Sequence, residues 1–219
     1  MSDLCVFSTG VKPLLRESCA RFRVELHEYG MGRPWPGLCQ GKIAEALEFL
    51  NTRREQYALF TDGEDSFIAS YAPTIIGKFQ TVNPAGSILI SAEKYCYPHP
   101  DLSQAYPPSP TPWKYLNSGG WMGSRKRLIQ VLSEMLHSHW FGVRDDQYCW
   151  TQFYIENNDA MAIDHQCEIF QTLSGMNLEY ELRGDIVENV ITGTFPSVFH
   201  ANGRSATIEQ LRELYQRAA

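Results

Sequence analysis

Short, largely apolar runs rich in β-formers alternate with stretches of helical periodicity through the first half of this chain. That alternation limits its fold more than any other feature. Residues 3–9 (DLCVFST) form one such run and stop at Gly10, and 57–62 (YALFTD) and 87–95 (SILISAEKY) are two more. A strand that is apolar on both faces must be covered on both sides, as in a parallel sheet held between helix layers. Helical stretches fall between these runs, over about 12–22 and again from Ile43, where Ile43, Ala46, Leu47 and Leu50 share one face. FRVELHEYG over 22–30 alternates and ends at Gly30, so it reads as a further strand, and the Gly- and Pro-rich MGRPWPG follows as a loop. The expected class is α/β, with a central, mostly parallel sheet flanked by helices.

The second half is less regular. Residues 98–112 hold six of the twelve prolines and read as a loop inside the domain. KYLNSGGWMGS over 114–124 reads as a strand with a glycine turn. Residues 125–140 form an amphipathic helix with Leu128, Val131, Leu132, Met135 and Leu136 on one face. A shorter helix starts at Asp145–Asp146, where carboxylates suit the positive end of the helix dipole. Several short strands are expected over 160–200. A C-terminal helix is expected over about 207–219, opened by a Thr207–Gln210 capping box. The 219 residues are expected to form a single domain, 1–219.

Charge and cysteine spacing exclude several classes. Lys and Arg total 19 against 25 Asp and Glu, a net charge of −6, which disfavours a nucleic-acid partner. No stretch approaches the roughly 18 apolar residues of a membrane span. The start, MSDLCVFSTG, lacks a basic segment followed by a long apolar run, so no secretory signal is expected. The six cysteines are widely spaced, without a CxxC pair, and read as reduced thiols in a cytoplasmic protein.

Four constellations carry chemistry. Asp62-Gly-Glu-Asp65 directly follows the apolar run YALFT. Parallel strands place ligands at their C-terminal ends, and clustered carboxylates there suit Mg²⁺ or Mn²⁺ bridged to phosphates; an ordinary acidic turn is the alternative. Asn117-Ser118-Gly119-Gly120 lets a ligand approach the backbone, or forms a β-bulge or turn. Asp145 and Asp146 can supply a general base for an acceptor hydroxyl, or simply decorate a helix start. His200, in His-Ala-Asn-Gly-Arg, can add a nitrogen ligand to an otherwise oxygen-bound ion, and Arg204 can neutralise phosphate. His137 and His139 point about 200° apart on a helix and share no metal. Asp164 and His165, neighbours on a strand, face opposite sides.

Taken in order, LFTDGEDSFIA, SAEKYCYP, YLNSGGWMG, DDQYCWTQFY, IDHQCEIFQTLSG and FHANG resemble the glycosyltransferase domain of the procollagen lysyl hydroxylases and the related collagen glycosyltransferases. The resemblance runs from the first strand to about residue 204. It implies a GT-A-like, nucleotide-sugar-binding fold that uses a UDP-sugar and Mn²⁺. Asp62 and Asp65 match the family's metal-binding aspartates, and His200 matches the third ligand. Phe7 and Thr9 match residues lining the nucleotide pocket. Trp35 matches a tryptophan in the loop that closes over the donor sugar, and Lys42 lies near a family lysine that follows a glycine-rich stretch. Asn117, Ser118, Gly119 and Gly120 match the segment beside the donor, and Asn202 and Gly203 match the donor-side loop. Asp145 and Asp146 match acidic residues needed for transfer. The chain departs from the pattern at Glu64, where the family often carries an aromatic residue.

The resemblance implies transfer of a hexose from UDP-glucose or UDP-galactose to an acceptor hydroxyl, with hydroxylysine or glycosyl-hydroxylysine of a collagen-like protein as precedent. The length is expected to leave no room for the dioxygenase domain of the hydroxylases, hence no iron, no 2-oxoglutarate and no lysine hydroxylation. A catalytically inactive GT-A module that only binds nucleotide-sugar or glycan is one alternative, and a nucleotidyltransferase-like enzyme is another.

Overall fold

The computed structural model describes residues 3–83, 85–173, 179–184, 186–203 and 205–217, with 205–207 as backbone alone. In chain order the strands are β1 Leu4–Ser8, β2 Leu26–Glu28, β3 Tyr57–Thr61, β4 Ser66–Ile68, β5 Ile88–Glu93, β6 Tyr115–Ser124, β7 Met161–Ile163, β8 Phe170–Thr172, β9 Tyr180–Arg183, β10 Ile186–Asn189 and β11 Val198–His200. The helices are α1 Pro13–Arg21, α2 Glu45–Asn51, α3 Ala72–Val82, α4 Arg125–Leu136, α5 Asp146–Glu156 and α6 Ser205–Arg217. A π-helical turn, Gln40–Ala44, leads directly into α2.

The main sheet runs β2-β1-β3-β6-β5-β7. All of its strands point the same way except β6, which pairs antiparallel with both β3 and β5. Both faces are covered. Cys5, Phe7, Phe60, Ile90 and Trp121 face a core shared with α2, α4 and α5, while Leu4, Val6, Leu59, Leu89 and Met122 face a second core under α1 and α3. This alternation explains why the strands read as continuous apolar runs. A smaller sheet, β4-β11-β8, stands beside the main one, with β11 antiparallel to β4 and parallel to β8.

Several boundaries differ from the sequence expectation. The strand expected over 22–30 shrinks to Leu26–Glu28, because Phe22 and Arg23 serve to end α1, with Arg23 at φ 52°. The helix over 125–140 stops at Leu136, where the backbone N–H groups of His137 and Ser138 close its last turn. The NSGG segment is no turn. It lies inside the ten-residue β6, at the point where the pairing with β5 shifts register between Ile90 and Ser91. Helix α3 carries no expectation from the sequence, its pattern being interrupted by Gly77. Helix α6 begins at Ser205, two residues ahead of the expected start; the Thr207 side chain, Arg204 and part of the 160–200 stretch lie outside the described residues.

Candidate active site

The strand directions bring the polar ends of separate segments to one edge. Asp62 directly follows β3 there and Glu93 ends β5, and β6, running the other way, brings Asn117–Gly119 alongside them. The backbone N–H of Asp62 donates to the carbonyl of Gly119 at 2.9 Å. Strand β11 ends at His200, and Ala201 N–H donates to the Asp65 carbonyl at 2.8 Å, which ties the two loops together. The N-terminus of α5 supplies Asp145, Asp146 and Gln147. These groups line a cleft of about 880 Å³. It opens beyond the carboxyl ends of the parallel strands β3 and β5, the side of an open α/β sheet on which ligands usually bind.

Asp62, Asp65 and His200 converge, each offering one ligand atom within 4.8 Å of the others. His200 Nε2 lies 3.3 Å from Asp65 Oδ1 and 3.6 Å from Asp62 Oδ2. Both separations lie inside the roughly 4.2 Å that two ligands of one small divalent ion can span. Two carboxylates and one imidazole suit Mn²⁺ or Mg²⁺, with the nitrogen favouring Mn²⁺. The local field attracts positive charge: burial works against the His200 imidazolium, yet Asp65 and Asp62 outweigh it and raise its pKa. Burial likewise works against the Asp65 carboxylate, and His200 and Lys42 hold it below its ordinary range.

Lys42 comes from the π-helical turn, a wider turn that is frequent at functional sites. Its Nζ lies 2.7 Å from Asp62 Oδ1 and 3.6 Å from Asp146 Oδ2. Burial disfavours the ammonium, but Asp62 and Asp146 more than compensate and raise its pKa, so it stays charged. Asp146 is buried, its Oδ2 lacks a hydrogen-bond partner among the described residues, and burial raises its pKa against the pull of Lys42. Asp145 is engaged differently. It caps α5 by accepting from Tyr148 N–H at 2.8 Å, and both of its oxygens lie 3.0 Å from His99 Nε2.

Glu93 is the residue that the sequence reading did not single out. Its Oε1 accepts from Asn117 Nδ2 at 3.1 Å and from Gln147 Nε2 at 2.8 Å, and its Oε2 accepts from Asn202 Nδ2 at 3.0 Å. One carboxyl thus joins β5, β6, α5 and the loop after β11. Burial pushes its pKa up to about 7, against the pull of these amides. The signal was present, since Glu93 ends an apolar strand just as Asp62 follows one.

Of the residues singled out from sequence, Lys42, Asp62, Asp65, Asn117, Ser118, Gly119, Asp145, Asp146, His200, Asn202 and Gly203 line the cleft. Gly203 takes φ +112°, a backbone conformation that favours glycine. Phe7 does not line it. The ring is wholly buried, stacked on Phe49 and edge-on to Trp121 and Phe60, and its burial is worth roughly 1.5–3 kcal/mol to the core. The strand-end position is as expected; the side chain simply points to the helix-covered face. Thr9 is not in the cleft lining, and its carbonyl packs against Gly63. Gly120 faces Phe170, whose ring a Cβ would meet at 2.7 Å. The Trp35 ring lies over Gly41, half exposed, outside the cleft lining. Glu64 is exposed and pairs with Lys12 at 3.6 Å. Asp164 is spent on structure, accepting from the N–H groups of Glu168, Ile169 and Phe170.

Known proteins resemble the chain in both sequence and fold. It is 29% identical over 203 residues to the human multifunctional procollagen lysine hydroxylase and glycosyltransferase LH3, covering 83% of this chain and 26% of that protein. It is 30% identical over 166 residues to the uncharacterized protein R699 of Acanthamoeba polyphaga mimivirus, covering 74% of this chain and 35% of that one. The chain therefore spans about a quarter to a third of the length of these curated relatives. Among solved structures, a glycosyltransferase involved in the glycosylation of the major capsid of PBCV-1 superposes with a TM-score of 0.52 at 11% identity, over 96% of this chain and 98% of the other. That likeness is one of fold alone, and it agrees with the GT-A-like architecture expected from the sequence. Residues 9–216 match the family described as the PLOD GT domain, so the chain belongs to that glycosyltransferase family.

Proposed function

We propose that the chain is one glycosyltransferase domain that moves a hexose from UDP-glucose or UDP-galactose to an acceptor hydroxyl, with hydroxylysine or glycosyl-hydroxylysine of a collagen-like protein as the family precedent. The convergence of Asp62, Asp65 and His200 at the carboxyl edge of the sheet carries this reading. These three would hold Mn²⁺, which supplies a Lewis acid for the charge that develops on a diphosphate leaving group. Lys42 adds a fixed positive charge beside Asp62. The side-chain-free Gly119 and the buried Asn117 and Ser118 form the wall against which the donor lies, Asn202 and Gly203 extend that lining, and the half-exposed Trp35 closes over the donor from the 31–37 loop. Asp146 orients the acceptor hydroxyl and takes its proton. The location assigned is the cytoplasm, because six thiols without paired spacing suit a reducing compartment.

The test is release of UDP from a panel of UDP-sugars with Mn²⁺, with and without acceptor. Metal-dependent turnover of at least one hexose donor is expected. Binding of a UDP-sugar without turnover of any donor would instead make the chain a binding module. Release of pyrophosphate from a nucleoside triphosphate and a sugar phosphate would make it a nucleotidyltransferase.

A further inference from the structure

Two backbone amides fix the orientation of the side chains behind His200. Gly119 N–H donates to Asn117 Oδ1 at 3.0 Å, so that oxygen is the acceptor end of the amide. His200 Nδ1 lies 3.1 Å from the same oxygen. An amide oxygen only accepts, so Nδ1 must carry a hydrogen. In the neutral ring the lone pair then belongs to Nε2, the nitrogen that faces Asp65 and Asp62. Asn117 is held from its other end, where Nδ2 donates to Glu93 Oε1 at 3.1 Å. Glu93 is steadied in turn by Gln147 and Asn202, and the amide of Gln147 is oriented by Ser118 N–H, which donates to its Oε1 at 3.0 Å. His200, Asn117 and Glu93 are 6%, 6% and 3% exposed, so little water competes for these bonds.

We propose that Asn117 and Glu93 are positioning residues: Glu93 anchors the Asn117 amide, and Asn117 Oδ1 locks His200 in the Nδ1–H tautomer that presents Nε2 to an ion shared with Asp62 and Asp65. Ligand imidazoles commonly depend on such a partner behind the ring, and removing it typically weakens metal binding about 10–100-fold. The proposal rests on the metal reading of the site and gives Asn117 and Glu93 a role exerted through His200, not on the ion itself.

Mn²⁺ alone is the probe, titrated by calorimetry into the metal-free protein. Asn117→Ala is expected to weaken Mn²⁺ binding about 10–100-fold. Asn117→Asp keeps an acceptor for His200 Nδ1–H but sets a carboxylate against Glu93 Oε1, so it is expected to bind Mn²⁺ more weakly than the wild type. The ¹⁵N spectrum of the His200 ring, taken on metal-free wild type at alkaline pH and assigned by loss of its signals in His200→Gln, is expected to show hydrogen on Nδ1; Asn117→Ala is expected to mix the tautomers. Hydrogen on Nε2 in the wild type overturns the proposal, as does wild-type Mn²⁺ affinity in Asn117→Ala. If Asn117→Ala does not fold, the wild-type tautomer decides. A wild type that binds no Mn²⁺ sinks the metal reading itself, whereas a site that binds Mn²⁺ and ignores Asn117→Ala sinks only the positioning role.

Discussion

Gly119 lies so close to His200 that any side chain at position 119 would collide with the imidazole. A Cβ there would sit 2.1 Å from Cε1 and 2.6 Å from Nδ1, and 2.9 Å from Asp62 Oδ2. The ring is packed and cannot retreat, so Gly119→Ala must push it or the carboxylate away. It is expected to cost about 1–3 kcal/mol of stability, as overpacking does, and to weaken Mn²⁺ binding at least about tenfold by the same displacement. Gly77, in the interior of α3, has nothing within 4 Å of its Cβ position. Gly77→Ala is the control and is expected to raise stability by up to about 1 kcal/mol. Thermal unfolding and Mn²⁺ calorimetry on both variants check the contrast; unchanged Mn²⁺ affinity in Gly119→Ala would count against the site.

Lys42 holds two carboxylates together, and its loss leaves Asp146 without its cation and Asp62 with His200 alone. Its side chain is 12% exposed and that of Asp146 only 4%, so Lys42→Ala leaves charge buried without a partner. Breaking a buried pair this way costs about 3–5 kcal/mol. Added Mn²⁺ is expected to restore part of that, because an ion at Asp62 replaces the missing positive charge. Denaturant unfolding with and without Mn²⁺ measures both effects. A destabilisation that Mn²⁺ leaves unchanged would mean that Asp62 does not bind the ion.

Glu93 gives the metal-free protein a specific pH signature. Burial raises its pKa from 4.5 to about 7. Between those values the folded state binds more protons than the unfolded state, so stability falls as pH rises through this window. The full effect is at most roughly 3.5 kcal/mol. Glu93→Gln cannot titrate, so the stability difference between wild type and variant is expected to shift against the wild type from pH 4.5 to 7 and to level off above. A difference independent of pH would show that Glu93 ionises normally.

The same chemistry explains what the sequence made legible. Asp62 and Asp65 could be read because they follow an apolar strand directly, and His200 because it closes a short one. The antiparallel course of β6 could not be read, since no local pattern encodes which strand lies next to which. It is this reversal that brings Asn117 and Gly119 beside Asp62. Phe7 stands apart from the cleft lining for a related reason: a strand end fixes the residue's position, while the parity of the pleat decides which face its side chain takes. Glu93 went unassigned because its three amide partners come from β6, α5 and the loop after β11, contacts that only the folded chain assembles.

Asp145 and Asp146 are adjacent in sequence, and the structure gives them different work. Asp145 is committed as the α5 cap and as the partner of His99, so its oxygens are already occupied. Asp146 lines the cleft, its Oδ2 makes no hydrogen bond among the described residues and lies 3.6 Å from Lys42 Nζ, and burial raises its pKa; it is the carboxylate left to act as the proton acceptor. Asp146→Asn is therefore expected to lower kcat by roughly 10²–10⁴-fold, the span a general base contributes, with little change in Mn²⁺ affinity. Asp145→Asn keeps an oxygen for the cap and is expected to retain most of kcat, while Asp145→Ala loses about 1 kcal/mol of helix capping. Steady-state UDP release under saturating donor and acceptor, paired with Mn²⁺ calorimetry, separates the roles. Equal losses of kcat in the two Asn variants would return Asp145 to candidacy as the base.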